Sequence, residues 1–287
     1  MRALGYSTCR VISAWHHGVA HRWGARQRLG MRTYHPMGNG YRLMAGMALA
    51  MCTAPLWAAH PLQTDDTGTQ GTSHWQLEVN TDRTRARADA GTDTSQQANA
   101  TLTYGVTDTV DVFLNQPYSW LRPSTGERSR GINDSSLGLK WRLADNGAGW
   151  TVGVKPSISL PTASTRAGLG NGRSTASLEV LSSLQSAHWD WLLNLGATSN
   201  NNTTGNRRAL WNASTALLYN PNSHWTLAAE LTASRNPDPS GPASLRTALL
   251  AAIYHWGDNC DLDLGVRRNW QAAAAATTLS LGFTQRW

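Results

Sequence analysis

Phenylalanine is nearly missing from this 287-residue chain, at 2 residues; cysteine stops at 3, and only 15% of residues are charged. Each scarcity closes a route. Cys9 and Cys52 fall in the N-terminal region and Cys260 stands alone in the body, so the body can build neither an intrachain disulfide nor a thiolate metal site. No run of about eighteen apolar residues occurs beyond the N-terminal region, which excludes helical membrane spans from the body. Residues 1–59 hold seven arginines and no Asp or Glu, leaving 18 basic and 18 acidic side chains in the rest of the chain. The net charge of +7 therefore belongs to the N-terminal region, and a basic nucleic-acid-binding domain is excluded. GxGxxG, GxxxxGKS/T and HExxH are all missing, and no metal-spaced His/Asp cluster stands out, so no cofactor or metal is implied.

The N-terminal region reads as an address. Arg42 precedes the apolar stretch Leu43–Met51, which continues past Cys52 to Ala59. A positive start, a hydrophobic stretch and small terminal residues make 37–59 a secretory signal, with cleavage after Ala59 and His60 as the first mature residue. Trp57 stands where a small residue is usual. Lipidation at Cys52 is the lesser reading, because Met51 is large for the position before a lipid-bearing cysteine. Residues 1–36 show no strand alternation and read as an upstream extension from a mis-assigned start, with a basic tail as the alternative.

What the chain does have is tryptophan, 14 of them, and a period of two. Thr277–Trp287 sets Leu279, Leu281, Phe283 and Trp287 against Ser280, Gly282, Thr284 and Arg286; Trp75, Leu77 and Val79 oppose Gln76, Glu78 and Asn80. Successive strand side chains point to opposite faces, so each segment has one apolar and one polar surface. The pattern predicts strands at 74–83, 97–106, 109–118, 134–143, 149–160, 174–185, 188–198, 209–219, 224–235, 244–255, 260–269 and 276–286. Most are about ten residues long, enough for a tilted strand to cross a membrane. Short connections rich in Gly, Pro, Asn and Asp alternate with longer loops at 84–96, 119–133, 161–173, 199–208, 236–243 and 270–275. Such alternation belongs to a closed antiparallel up-and-down transmembrane β-barrel of about 12 strands over 74–287. The tight turns and both termini are then periplasmic.

Aromatic rings collect beside the tight turns. Trp75, Trp141, Trp150, Trp189, Trp225, Trp256 and Trp287 are the expected interface girdle, and His-Trp recurs at 74–75, 188–189, 224–225 and 255–256. Arginines gather at the long loops and their edges, among them Arg83, Arg85, Arg87, Arg122, Arg130, Arg235 and Arg268. They suit either lipopolysaccharide phosphates or plain solvent. A soluble β-sandwich needs neither an aromatic belt nor an apolar C-terminal residue. The expected site is the bacterial outer membrane of a Gram-negative cell, as a monomer in outer-membrane lipid, with the C-terminal strand addressed to the barrel-assembly machinery.

The stretch His60-Pro61-Leu62-Gln63-Thr64-Asp65-Asp66-Thr67-Gly68-Thr69-Gln70-Gly71, followed by Trp75-Gln76-Leu77-Glu78, resembles a family of bacterial outer-membrane transporters. That family is labelled for the meta-pathway of phenol degradation (Phenol MetA). Gly105-Val106-Thr107-Asp108, Ser136–Arg142 and the aromatic terminus are similar to it too, so the resemblance spans 60–287. It implies a protein passing small, aromatic or hydrophobic, solutes by passive diffusion. Loops 161–173 and 199–208 depart from the family pattern and are expected to govern access to the pore.

The inward-facing charges read from the alternation are Glu78, Lys140, Arg142, Lys155, Glu179, Glu230, Arg246, Arg267 and Arg286. They either select solutes or pair to fill a narrow lumen. Pairing of 149–160 with 174–185 around a loop near 167 would set Lys155 opposite Glu179. Residues 60–73, with Pro61, Asp65 and Asp66, are expected to fold into the periplasmic mouth as a plug, the carboxylates meeting Lys140, Arg142 or Lys155. Two other function classes compete. An envelope lipid hydrolase needs a serine beside an oriented histidine, yet His60, His74, His188, His224 and His255 all read as belonging to the turn end. A structural or adhesive barrel would use the polar loop Asn200–Asn206, which lacks an aromatic anchor.

Overall fold

In a computed structural model of the protein, residues 60–88, 90–271 and 275–287 are described. The expected leader at 37–59, with its cleavage site and Cys52, and the segment 1–36 lie outside them. The described strands are β1 (Trp75–Ala88), β2 (Gly91–Thr107), β3 (Val110–Arg122), β4 (Ser129–Ile132), β5 (Ser135–Asp145), β6 (Trp150–Leu160) and β7 (Thr175–Gln185). They continue as β8 (Trp189–Ser199), β9 (Ala209–Asn222), β10 (Trp225–Arg235), β11 (Ser244–His255), β12 (Cys260–Asn269) and β13 (Ala276–Arg286). Every neighbour is antiparallel. β1 pairs with both β2 and β13, and β2 pairs with β3, so the sheet closes on itself. The short β4 pairs with β3 beyond the end of β5, so the two form one interrupted stave and the barrel has 12. Closure leaves no unpaired strand edge, which hydrocarbon requires.

The surface is inverted relative to a water-soluble protein. Leu231, Leu264 and Leu281 are more than half exposed, while Asn194, Thr284, Asp111 and Glu230 are buried at 0–2%. All seven expected girdle tryptophans lie exposed at the tight-turn end. Three of the rings are held by cross-strand partners: Trp75 with Tyr104, Trp189 with Tyr219 and Trp225 with Tyr254, centroids 4.5, 4.5 and 4.9 Å apart.

Two of the expected long loops are corrected by the structure. Residues 84–96 are not a loop: β1 and β2 stay in register up to Ala88 opposite Gly91. The alternation there is arginine with Thr or Ala, polar on both faces, so it carries no apolar period. Residues 119–133 likewise contain the end of β3 and all of β4. Three long loops are tied together. Leu169 packs on the inner side of Gly131, Thr203 N–H donates to Asn171 O (2.9 Å), and Arg207 N–H donates to Pro237 O (2.8 Å).

Candidate functional site

The bore is occupied by the chain's own residues 60–73. From the start of β1 the segment enters at the tight-turn end and touches much of the inner wall in turn. Thr72 donates to Asp108 through its N–H (3.1 Å) and hydroxyl (2.6 Å), Gln70 N–H to Asp111 (3.0 Å) and Thr67 N–H to Ser183 (3.1 Å), while the hydroxyls of Thr67 and Thr151 share a short hydrogen bond. Further in, Gln63 and Thr64 donate their N–H groups to Glu230 at 2.6 and 2.7 Å. Pro61 O accepts from Arg267 (2.6 Å), and His60 N–H reaches Glu78 at 3.3 Å. Thr64, Asp66 and Thr67 are buried at 1–3%, as deeply as core residues.

Two wall glycines make room. A methyl group on Gly105 would collide with the carbonyl of Gly71, whose φ of +81° itself suits glycine, and one on Gly265 would collide with the Pro61 ring. The close approach at Gly105 is sealed by Ser73 N–H to Gly105 O (2.8 Å) and Gly105 N–H to His74 O (2.9 Å).

Asp65 lies between two lysines, 2.8 Å from Lys140 Nζ and 2.7 Å from Lys155 Nζ; Asp66 is 3.4 Å from Lys140. Burial alone would raise the Asp65 carboxyl, but the two ammonium groups outweigh it and hold the acid well below the usual carboxylate range. The buried Asn194 carboxamide donates to Asp65 O (2.9 Å) and accepts from Asp65 N–H (2.7 Å). Lys155 also sits 5.0 Å from the Phe113 ring centroid. At the inner end, His60 Nδ1 is 2.7 Å from Asp263 and Nε2 is 3.4 Å from Asp82. Burial disfavours its charge, yet the hydrogen bonds and charges of the two carboxylates prevail and push the imidazole up to about 9.

The structure places Glu78, Lys140, Arg142, Lys155, Glu179, Glu230, Arg267 and Arg286 on inward positions. Arg142 donates to Asp108 O (2.8 Å) rather than to a carboxylate, and Arg286 pairs with Asp261 (2.6 Å). Arg246 is corrected: it shares the outer face with Ala248, Leu250 and Tyr254, opposite Ala233, and is exposed. It sits near the long-loop end of β11, beyond the apolar stretch of the outer face, where a charge no longer marks the inner face. Lys155 and Glu179 are opposite in register, but Lys155 turns to Asp65 while Glu179 accepts from Asn212 Nδ2 (2.8 Å). His60 is not at the turn end; it lies at the level of Asp82 and Ser280, well up the barrel. Ser280 Oγ donates to Asp82 and not to the imidazole, so no serine–histidine pair arises here.

Sequence reasoning did not find the apolar side of the interior. Leu192, Ala216, Leu218 and Ala228 form a buried cluster on which Leu62 and Ala251 pack, with Leu181, Leu249 and Ile253 also buried. All but Leu62 sit on inward positions of β7–β11. The signal was present as strands apolar on both faces, such as Ser244–His255, where the period of two fades.

A closed barrel with an apolar outer belt is built for the outer membrane, and solved structures with the same fold come from that membrane. The COG4313 outer membrane channel from Pseudomonas putida F1 matches with a TM-score of 0.65 at 15% identity, over 79% of this chain and 100% of that one. The NanC porin matches at 0.51 and 10% identity, over 72% and 98%. The beta domain of the Bordetella autotransporter BrkA matches at 0.50 and 8%, over 74% and 98%. At these identities the likeness is one of fold. No curated protein sequence is significantly similar to the chain. A family model does match residues 60–287, the whole barrel with its internal segment, and the chain belongs to the family described as Putative MetA-pathway of phenol degradation.

Proposed function

We propose that the protein is an outer-membrane channel that passes small apolar or aromatic solutes by passive diffusion, and that residues 60–73 occlude its lumen from the periplasmic side. The observation that carries this reading is the segment's seating: ion pairs from Asp65 to Lys140 and Lys155 on one wall, and Leu62 on an apolar cluster on the other. Releasing the segment would free the lysines on one side and bare Leu192, Ala216, Leu218 and Ala228 on the other. That yields a bore with a polar and an apolar wall, suited to a ring bearing a hydroxyl. The family to which the chain belongs is described by phenol degradation, which agrees with such a solute.

An adhesive barrel is less well supported. In the loop Asn200–Asn206, Asn202 Nδ2 donates to Asn200 O (2.9 Å) and Asn206 O (3.0 Å), and its Oδ1 accepts from Asn206 N–H (3.0 Å). Those groups shape the loop itself rather than awaiting a partner. Catalysis is unsupported as well, since the similar folds are a channel, a porin and an autotransporter beta domain.

Reconstitution into planar bilayers tests the reading. Deleting residues 60–73 should raise single-channel conductance severalfold, and phenol should block the enlarged current more strongly than an aliphatic alcohol of equal size. An unchanged current rejects the plug; an enlarged current indifferent to phenol rejects the solute class.

A further inference from the structure

The outer wall carries a second feature that the channel reading leaves unused. Along β1 the outward positions run Trp75, Leu77, Val79, Thr81 and then Arg83, Arg85 and Arg87, all three arginines exposed. Register puts Arg85 opposite Thr277 of β13, and Thr277 opposite Arg268 of β12. Arg85 and Arg268 thus share one row, two strand spacings or about 10 Å apart. Arg85, Arg87, Thr92, Arg268 and Thr277 line a shallow groove of about 650 Å³.

Depth fixes what this groove meets. From Trp75 in the tight-turn girdle to Arg85 is ten residues. At about 3.3 Å per residue and a tilt near 40°, that is a rise of about 25 Å, the height of a barrel's apolar band. The arginines therefore stand at the far membrane interface. Among the described residues no carboxylate stands beside them. The outward positions of β1, β2, β3, β12 and β13 carry no Asp or Glu, and among the described residues none of the side chains of Arg83, Arg85, Arg87 or Arg268 makes a hydrogen bond or ion pair. Four exposed guanidinium groups without carboxylates repel one another unless an external anion joins them. At this depth the anions on offer are headgroup phosphates, whose oxygens match the guanidinium fork in pairs.

We propose that Arg85, Arg87 and Arg268, with Arg83 beneath them, form a binding site for the phosphorylated headgroup of an outer-leaflet glycolipid, its acyl chains lying along Val79, Leu279 and Val266. The remaining outward charges at this end of the strands, Arg122, Arg130, Arg235 and Arg246, are arginines too, but they do not share this groove.

The test is lipid binding to the full barrel in detergent, followed by native mass spectrometry with bisphosphorylated lipid A as the probe. Wild-type protein should retain lipid A through delipidating detergent. The triple change Arg85→Gln, Arg87→Gln and Arg268→Gln should weaken binding about a hundredfold, roughly fivefold per arginine. Arg235→Gln, on the outer end of β10, should change it less than twofold. Equal binding of dephosphorylated lipid A, or wild-type affinity in the triple variant, overturns the proposal. Full displacement by inorganic phosphate at matching concentration would reassign the groove to small anions and overturn the lipid identification. Should the triple variant fail to insert, Arg85→Gln alone and the salt dependence of wild-type binding decide the matter: an affinity indifferent to both overturns the site.

Discussion

The two walls of the lumen hold the same fourteen-residue segment by different physics. Around β12, β13, β1, β3, β5 and β6 the inward positions carry Asp263, Arg267, Arg286, Glu78, Asp82, Asp111, Lys140 and Lys155; across β7–β11 they carry Leu181, Leu192, Leu218, Leu249 and Ile253, with Ser183, Asn194 and Glu230 among them as hydrogen-bond partners of the segment. A charged wall grips through directed, pH-dependent bonds that fail abruptly when one partner is removed. The apolar contacts of the second wall grip through area, lose strength in proportion to what is cut away, and are indifferent to pH. The segment bridges both, and its anchors should therefore fail in distinguishable ways.

The largest effect should come from Asp65. Its side chain and that of Lys140 are each 15% exposed and that of Lys155 is 27%, so Asp65→Asn leaves the Lys155 ammonium facing a neutral amide and Lys140 with only Asp66 at 3.4 Å. Breaking such an arrangement costs on the order of 3 kcal/mol. Single-channel records should then show long open states absent from the wild type. Replacing Lys155 by Met in the Asp65→Asn background should restore much of the closed level, because Lys140 keeps Asp66 and the ammonium left facing the amide is gone.

Leu62→Ala tests the other wall. Leu62 is only partly buried against its cluster, so losing most of its side chain should cost about 1–2 kcal/mol. Brief openings, shorter than those of Asp65→Asn and unchanged between pH 5 and 8, are expected. If Leu62→Ala opens the channel more than Asp65→Asn, the apolar wall is the principal anchor and the ranking inverts.

His60 supplies a pH signature. Docked beside Asp263 on β12 and Asp82 on β1, with Glu78 and Arg267 close by, its imidazole is raised from 6.5 to about 9. Its contribution is therefore full below pH 6.5 and is lost as pH climbs through about 9. Asp65 works in the opposite sense: its depressed carboxyl stabilises docking above its ordinary 3.8 and ceases to as pH falls below that. Open probability should be lowest between about pH 4 and 6.5 and rise towards pH 9. Replacing His60 by Gln should flatten the alkaline limb alone, and a wild-type profile flat from pH 6 to 9 would remove His60 as an anchor.

Much of this was legible in the sequence, and the exceptions share a cause. Closure, strand positions and the girdle follow from a period of two, which is strong wherever one face meets acyl chains and the other meets water. The sequence also pointed to Asp65 and the lysines, because so specific a stretch ahead of the first strand suggests ordered contacts rather than a loose tail. The rule fails where its premise does. Above the belt both faces of β1 and β2 are polar, so 84–96 looked like a loop, and Arg246 looked inward although it lies exposed on the outer face. On β11 both faces are apolar, since Leu249 and Ile253 line the bore while Leu250 is exposed on the outer face. The long reach of His60 could not be read at all, because no local pattern says how far a segment of this length climbs inside a barrel.

The smallest effect should be at Glu179, and it separates register from contact. Strand pairing sets Glu179 directly opposite Lys155. An ion pair there would make Glu179→Gln comparable to Asp65→Asn. But Lys155 Nζ reaches Asp65 at 2.7 Å, and Glu179 instead accepts from Asn212 Nδ2 at 2.8 Å. A glutamine carbonyl can accept that same bond, so the change should shift docking by less than about 0.5 kcal/mol, the scale of a substitution that breaks no anchor. Closed-state lifetimes measured beside wild type should coincide. Lifetimes shortened as much as in Asp65→Asn would mean that Lys155 divides itself between the two carboxylates, and that the charged wall grips the segment as a network rather than through Asp65.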